Sequence, residues 1–202
     1  MMKIKLMQVG QIGTNCYLLE DETTRCAAIV DPGGEAQGIL EQIRETGAQV
    51  CAILLTHGHY DHTGAVRELR QALPGVPVYL HPADAALLGT AVMPPIGETV
   101  PYGDGDTVAV GPLAVHVMHT PGHTPGGVTL RVGDVLFTGD TLFQGSMGRT
   151  DLGGGSYEQI MASLRQLGGL EGDFQVLPGH MGLSTLEQER KGNYYMQEAM
   201  GR

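Results

Sequence analysis

The chain has 202 residues, 42% of them apolar and 17% charged, which suits a single globular domain able to bury its apolar surface without disulfides. Asp and Glu outnumber Lys and Arg by 22 to 12 with no basic cluster, which excludes a polyanion such as nucleic acid as an expected partner. Residues 1–10 alternate polar and apolar and no run of about 18 apolar residues occurs, so no secretory leader and no membrane partner are expected, and the compartment read from this is the cytoplasm.

Residues 3–9 and 16–19 read as strands joined by the turn Gly10-Gln11-Ile12-Gly13, and residues 27–30 give a third strand that stops at Asp31-Pro32-Gly33. Residues 35–46 place Ala36, Ile39, Leu40 and Ile43 on one helical face, and the apolar run 50–55 ends at Thr56-His57-Gly58-His59. A helix near residues 65–72, a strand at 76–80 and a short helix at 82–88 follow, then a long loop over 89–101. Residues 107–110, 113–118, 128–132 and 135–138 are strands too closely spaced for intervening helices, so this stretch is expected to be antiparallel.

Ser156 with Gln159 matches a capping box before a helix carrying Tyr157, Ile160, Met161 and Leu164 on its apolar face. A strand at 174–177 comes next. Ser184 with Glu187 matches a second capping box before a terminal helix in which Gly192 is a point of bending or ending. Cys16, Cys26 and Cys51 are odd in number, lie in apolar runs, show no CxxC spacing, and read as buried small hydrophobes. Strands separated by amphipathic helices imply sheets covered by helices on their outer faces.

The segment from His57 to His62 puts four ligand-capable side chains, His57, His59, Asp61 and His62, into six positions directly after a strand. Imidazole and carboxylate are the donors that borderline divalent metals prefer, and Gly58 lets the loop fold so that its neighbours converge. Three further candidates stand at the ends of later apolar runs: His123 in Thr120-Pro121-Gly122-His123, Asp140 in Thr138-Gly139-Asp140, and His180 in Pro178-Gly179-His180. Each of these short motifs alone is an ordinary turn; the complete ordered set is what points to a metal site. His81, His116 and His119 match no ligand position and read as surface or supporting residues.

In that HxHxDH segment and the later His, Asp and His, the sequence resembles the metallo-β-lactamase superfamily over nearly its whole length. The resemblance implies an α/β (α+β) fold, a four-layer αββα sandwich formed by residues 1–202 as one domain, with a dinuclear site at one edge. It implies that His57, His59 and His123 hold one metal, that Asp61, His62 and His180 hold the other, and that Asp140 bridges them. The catalytic part falls to Asp61, His62 and Asp140. Asp31 matches an amino-terminal aspartate that hydrogen-bonds behind the ligands; its other reading is a turn carboxylate before Pro-Gly. Two divalent ions are thereby implied as cofactors, zinc first, with iron or manganese as alternatives.

Within the superfamily, Phe137-Thr138-Gly139-Asp140-Thr141-Leu142-Phe143, Gly148-Arg149-Thr150-Asp151 and His123-Thr124-Pro125-Gly126 resemble the glyoxalase II-like branch, the hydroxyacylglutathione hydrolases. That resemblance implies hydrolysis of a small-molecule 2-hydroxyacyl thioester of the S-lactoylglutathione kind. Arg149 then reads either as a substrate-binding carboxylate clamp or as an internal ion pair with Asp151. The chain departs from the long members of that branch, because it ends after one terminal helix and has Gly182 where a tyrosine is expected, so the short single-domain relatives are the closer comparison. Tyr194, Tyr195 and Met196 are expected to pack the last helix on the core rather than to line the pocket. The competing reading is a persulfide dioxygenase of the same superfamily, using one iron on His57, His123 and Asp140. The oligomeric state is left open by the sequence.

Overall fold

The computed structural model of the chain describes residues 1–201. In its amino-terminal half β1 (Met2–Val9), β2 (Thr14–Asp21), β3 (Cys26–Val30), β4 (Gln49–Leu54), β5 (Val78–Leu80) and β6 (Val100–Pro101) lie side by side in that order as a six-stranded sheet. β1, β2 and β3 pair antiparallel, whereas β3 to β6 are parallel. Parallel neighbours need a crossover. α1 (Ala36–Thr46) supplies it between β3 and β4, α2 (Tyr60–Thr63) and α3 (Val66–Ala72) between β4 and β5, and α4 (Pro82–Ala85) follows β5. α1 buries Ala36, Ile39, Leu40 and Ile43, the face its spacing predicts, and ends at Gly47, whose left-handed φ of 68° lets its N–H reach back to the Ile43 and Arg44 carbonyls.

The second half adds β7 (Thr107–Val110), β8 (Leu113–His119), β9 (Val128–Val132), β10 (Val135–Gly139), a hairpin of β11 (Leu142–Phe143) and β12 (Ser146–Met147), α5 (Tyr157–Gly168), β13 (Gln175–Pro178), β14 (Ser184–Thr185), α6 (Leu186–Gly192) and α7 (Tyr194–Ala199). Its main sheet runs β14-β13-β10-β9-β8-β7. β7 to β10 are antiparallel as expected, while β13 joins β10 in parallel after the α5 crossover.

Successive strand residues point to opposite faces, so each sheet feeds two cores. Leu18, Ile29 and Ile53 pack against α1 and α3; their neighbours Leu19, Ala28 and Leu54 meet Val117, Leu130 and Phe137 between the sheets; Leu136 and Val176 face Leu164, Leu186 and Met196 of α5 to α7. Three stacked cores make four layers, helices, sheet, sheet, helices, the αββα sandwich the sequence implies. Burial of each Leu- or Phe-sized side chain in these layers contributes about 1.5–3 kcal/mol. Among the described residues, no helix is long and apolar enough to cross a membrane.

Several local expectations are corrected. The second capping box is Thr185 with Gln188, not Ser184 with Glu187: the Glu187 N–H that a Ser184 cap would take goes to Asp173 Oδ1 at 2.8 Å, while Thr185 and Gln188 bond each other reciprocally at 3.2 Å. Ser156 caps α5 by accepting the Gln159 N–H at 3.3 Å, but its own N–H goes to the Gly122 carbonyl at 2.8 Å instead of to Gln159. Gly192 ends α6, and Asn193 restarts the chain as α7 by accepting the N–H groups of Tyr195 and Met196. Cys16 is buried, whereas Cys26 and Cys51 are only half-buried, in β3 and β4 at the margin of the inter-sheet core, with their Sγ atoms 2.6 Å apart.

Candidate metal centre

The parallel pairs decide where the chemistry lies. β3 and β4 end on the same edge, as do β10 and β13, so the segments that follow them emerge together at the carboxyl ends of the strands. Asp31 follows β3, His57 and His59 follow β4, Asp140 follows β10, His180 follows β13, and His123 sits in the β8–β9 turn. At this edge the two sheets are joined backbone to backbone: Val128 N–H donates to the Thr56 carbonyl at 2.9 Å and Asn15 N–H to the Gly179 carbonyl at 2.7 Å.

The side chains singled out from the sequence converge here. His57, His59 and His123 form one group, and Asp61, His62 and His180 another, each with its donor atoms within 4.8 Å of one another. In the second group His180 Nε2 lies 3.0 Å from Asp61 Oδ2 and 3.3 Å from His62 Nε2. In the first, His59 Nδ1 lies 2.9 Å from His123 Nε2. Asp140 stands between the groups, with Oδ1 3.3 Å from His62 Nε2 and Oδ2 3.4 Å from His123 Nε2 and 3.6 Å from His180 Nε2. Ligands about 2.0–2.1 Å from a tetrahedral ion are separated from each other by roughly 3.3 Å, which is the spacing found. Two facing imidazole lone pairs at that distance repel unless a proton or a cation lies between them.

The outer contacts of the rings fix which nitrogen faces inward. Thr56 Oγ1 donates to Asp31 Oδ2 at 2.6 Å, so it accepts from His57 Nδ1 at 3.1 Å and leaves His57 Nε2 free. His62 Nδ1 donates to the same Asp31 oxygen at 3.0 Å, and His123 Nδ1 donates to the Arg149 carbonyl at 2.7 Å, freeing both Nε2 atoms. Asp31 therefore supports two rings at once rather than serving as a turn carboxylate. It does so at φ 50°, a left-handed backbone that costs about 1–2 kcal/mol for a residue with a Cβ and that its bonds to Thr56 and His62 hold in place. His57 Nε2 and Asp140 Oδ1 are buried without a hydrogen-bond partner among the described residues. Orphaned buried donors of this kind, in an all-nitrogen and oxygen set, fit a pair of divalent cations.

The electrostatics point the same way. Burial lowers His57 well below its ordinary range, and burial with the nearby His123 lowers His59 to about 4, so both stay neutral and available as ligands. Burial alone would depress His62 as well, but Asp140 and Asp31 on either side raise it well above its usual value. Burial works against the Asp140 charge, yet His62, His123 and His180 keep its carboxyl below the usual range. The pocket is built around buried carboxylates that favour positive charge.

Two supporting residues escaped the sequence reading. Asp84 is wholly buried and accepts the Gly58 N–H at 2.9 Å, the Thr124 hydroxyl at 2.9 Å and the Gly126 N–H at 2.6 Å, tying the His57–His59 loop to the His123 loop. Asn15 Nδ2 donates to the Pro178 carbonyl at 3.0 Å and the Met181 carbonyl at 3.1 Å, bracketing His180. Glycine is required between these clamps: a Cβ on Gly126 would lie 2.6 Å from Asp84 Oδ1, and one on Gly179 would lie 2.5 Å from His62 Cε1. The unassigned histidines fall where expected. His116 is exposed, and His81 and His119 stack at 4.3 Å beside the Asp84 clamp, His119 meeting the Pro125 carbonyl at 2.9 Å.

The group opens into a cleft of about 610 Å³ lined by Tyr60, Phe143, Met147, Arg149 and Met181 as well as His59, His123, Asp140 and His180. Arg149 donates to Asp151 through Nε and Nη2, at 2.6 and 2.7 Å, forming an ion pair along one edge of its guanidinium while the side chain lines the cleft. That hydrogen bond lowers Asp151 to about 2. Tyr194 is exposed and Met196 is buried in the third core, and neither lines the cleft.

Residues 9–180 match the family model of the metallo-β-lactamase superfamily. The chain belongs to that superfamily. It is 35% identical to the hydroxyacylglutathione hydrolase GloC of Haemophilus influenzae, over 96% of this chain and 98% of the relative. Among solved structures it resembles the BLEG-1 B3 metallo-β-lactamase, with TM-score 0.86 and 34% identity over 96% of this chain and 99% of the other. It also resembles TTHA1623 in a di-iron-bound form, with TM-score 0.84 and 37% identity over 95% and 99% of the two chains. The metallo-β-lactamase fold of this chain thus carries, at the carboxyl ends of its strands, His and Asp groups able to bind metal.

Proposed function

We propose that the chain is a metal-dependent thioester hydrolase of the glyoxalase II-like kind, acting on small 2-hydroxyacyl thioesters. The observation that carries this reading is the Asp140 carboxylate, whose two oxygens reach His62 on one side and His123 and His180 on the other. His57, His59 and His123 would hold one divalent ion, Asp61, His62 and His180 the second, and Asp140 both. Zinc suits these donors first, with iron or manganese as alternatives, and a di-iron relative supports the iron case. When bound, such a pair supplies a nucleophile from water at neutral pH and polarises a substrate carbonyl.

The chain's own residues do the rest. Asp31 and Thr56 set the tautomers, Asp84 and Asn15 fix the loops, and the apolar walls of the cleft receive the substrate's arms. The reaction adds water across the acyl carbon–sulfur bond, forming a carbon–oxygen bond and releasing an acid and a thiol. A thiol has a pKa near 8.5, so the sulfur departs without a dedicated proton donor, unlike an amide nitrogen. A reading as a cytoplasmic enzyme with no nucleic-acid or membrane partner accords with the acidic balance and the absence of a spanning helix among the described residues.

The assembled Asp61–His62–His180 group favours two ions over the single iron of a persulfide dioxygenase. The deciding experiment assays the metal-loaded chain with acyl thioesters, a β-lactam, and a glutathione persulfide with oxygen monitored. Thioester cleavage alone is expected. Oxygen uptake with one iron per chain, or cleavage confined to the β-lactam, would replace this reading.

A further inference from the structure

We infer that the cleft selects thioesters whose thiol arm is uncharged and largely apolar over those of carboxylate-bearing peptide thiols such as glutathione; this rests on the thioesterase reading above. Three large hydrophobic side chains are left exposed around its mouth, Ile12 at 56%, Tyr60 at 52% and Met181 at 55%. They come from three unconnected segments: the β1–β2 turn, the start of α2, and the residue after His180.

Their placement is held by the fold. Met181 adopts φ 69°, an unfavourable backbone for a residue with a Cβ, and Asn15 anchors its carbonyl. Met181 is thus held by its backbone beside the open cleft, where its flexible thioether offers apolar contact. Phe143 and Met147 continue the apolar wall inward, on the β11–β12 hairpin. That hairpin is fixed from below: Glu189 accepts the Gly145 N–H at 2.8 Å, and Asn193 donates to the Ser146 carbonyl at 2.9 Å.

Charge is the second observation. Among the described residues lining the cleft, Arg149 is the only Lys or Arg, and Asp151 pairs with one edge of its guanidinium, through Nε and Nη2. A free carboxylate on the thiol arm would meet a guanidinium whose charge is already balanced by Asp151 and would give up hydration against an apolar wall, whereas an uncharged arm gains from burial there.

The test uses the metal-loaded full chain and compares kcat/KM for S-lactoylglutathione with that for its diethyl ester, in which both carboxylates are masked. Salt of about 0.3 M screens the long-range effect of the chain's net negative charge. An uncharged third substrate, S-lactoyl-N-hexanoylcysteamine, separates apolar contact from charge. The diester and the hexanoyl compound should each exceed the free acid by roughly tenfold or more. Asp151→Asn should shift the free-acid to diester ratio toward the free acid by about fivefold, and Ile12→Asp should lower kcat/KM for the hexanoyl compound. Equal or better cleavage of the free acid, or an unmoved ratio in Asp151→Asn, overturns this inference while leaving the thioesterase reading intact. Cleavage of none of the three by metal-loaded protein overturns both.

Discussion

Asp84 accepts the backbone N–H of Gly58 at 2.9 Å, and through that one bond a residue of α4 sets the path of the loop that presents His57 and His59. Its other oxygen takes the Gly126 N–H, so the two loops of the first triad share one buried anchor. Asp84→Ala would leave two N–H groups and a hydroxyl buried without partners, each costing about 1–3 kcal/mol. A loss of about 3 kcal/mol or more is expected, read as a fall of roughly 6–12 °C in melting temperature together with reduced metal content. Asp84→Asn, which keeps one acceptor oxygen, should lose less.

Asp140→Asn tests the shared carboxylate. Residues that merely support ligands typically change metal affinity or activity by about 10–100-fold, so loss of a group reaching both triads should exceed about 100-fold in turnover and lower metal content in parallel. Turnover and metal content are measured on the same preparation. Full turnover with two metals still bound would remove Asp140 from the role assigned to it.

Asp31 acts through His62 and Thr56, so its effect should be smaller and graded. Asp31→Ala is expected to weaken metal binding by about 10–100-fold, while Asp31→Asn, which can still accept from His62 Nδ1, recovers part of it. Competition with a chromogenic chelator reads the affinities directly.

The metal-stripped chain should lose stability as the pH falls from about 6.5 toward 4. Burial keeps the folded-state values of His57 and His59 below the ordinary 6.5, His59 at about 4, so the unfolded chain takes up protons first in this window. His62 has the opposite shift; its contribution is already complete below 6.5 and adds no slope there. Asp61 and Asp140, held below their usual range, act only below about 3.8. Urea midpoints at pH 6 and pH 4.5 should therefore fall with acid, and a midpoint that rises would contradict the neutral state assigned to both rings.

The fold and the convergence of the candidate ligands were legible in the sequence for a common reason: both leave a periodic or ordered mark. The apolar positions of α1 recur at helical spacing, and the ligands stand at strand ends in a recognisable order. What escaped lacks such a mark. Asp84 and Asn15 are single polar residues whose partners lie 26 to 166 positions away, so their burial follows from tertiary contacts alone. The strands β6, β11, β12 and β14 have two residues each, too short to show alternation. The cap falls at Thr185, one residue later than the sequence reading, because Asp173, 14 positions earlier, takes the Glu187 N–H that Ser184 would have capped.

The account rests on two ions sharing Asp140. Anomalous diffraction from crystals of the chain grown with zinc measures this most directly. Two full peaks about 3.5–4 Å apart are predicted, one beside His57, His59 and His123, the other beside Asp61, His62 and His180, with Asp140 between them. A single peak, or none, with the second set of side chains turned away, would contradict it.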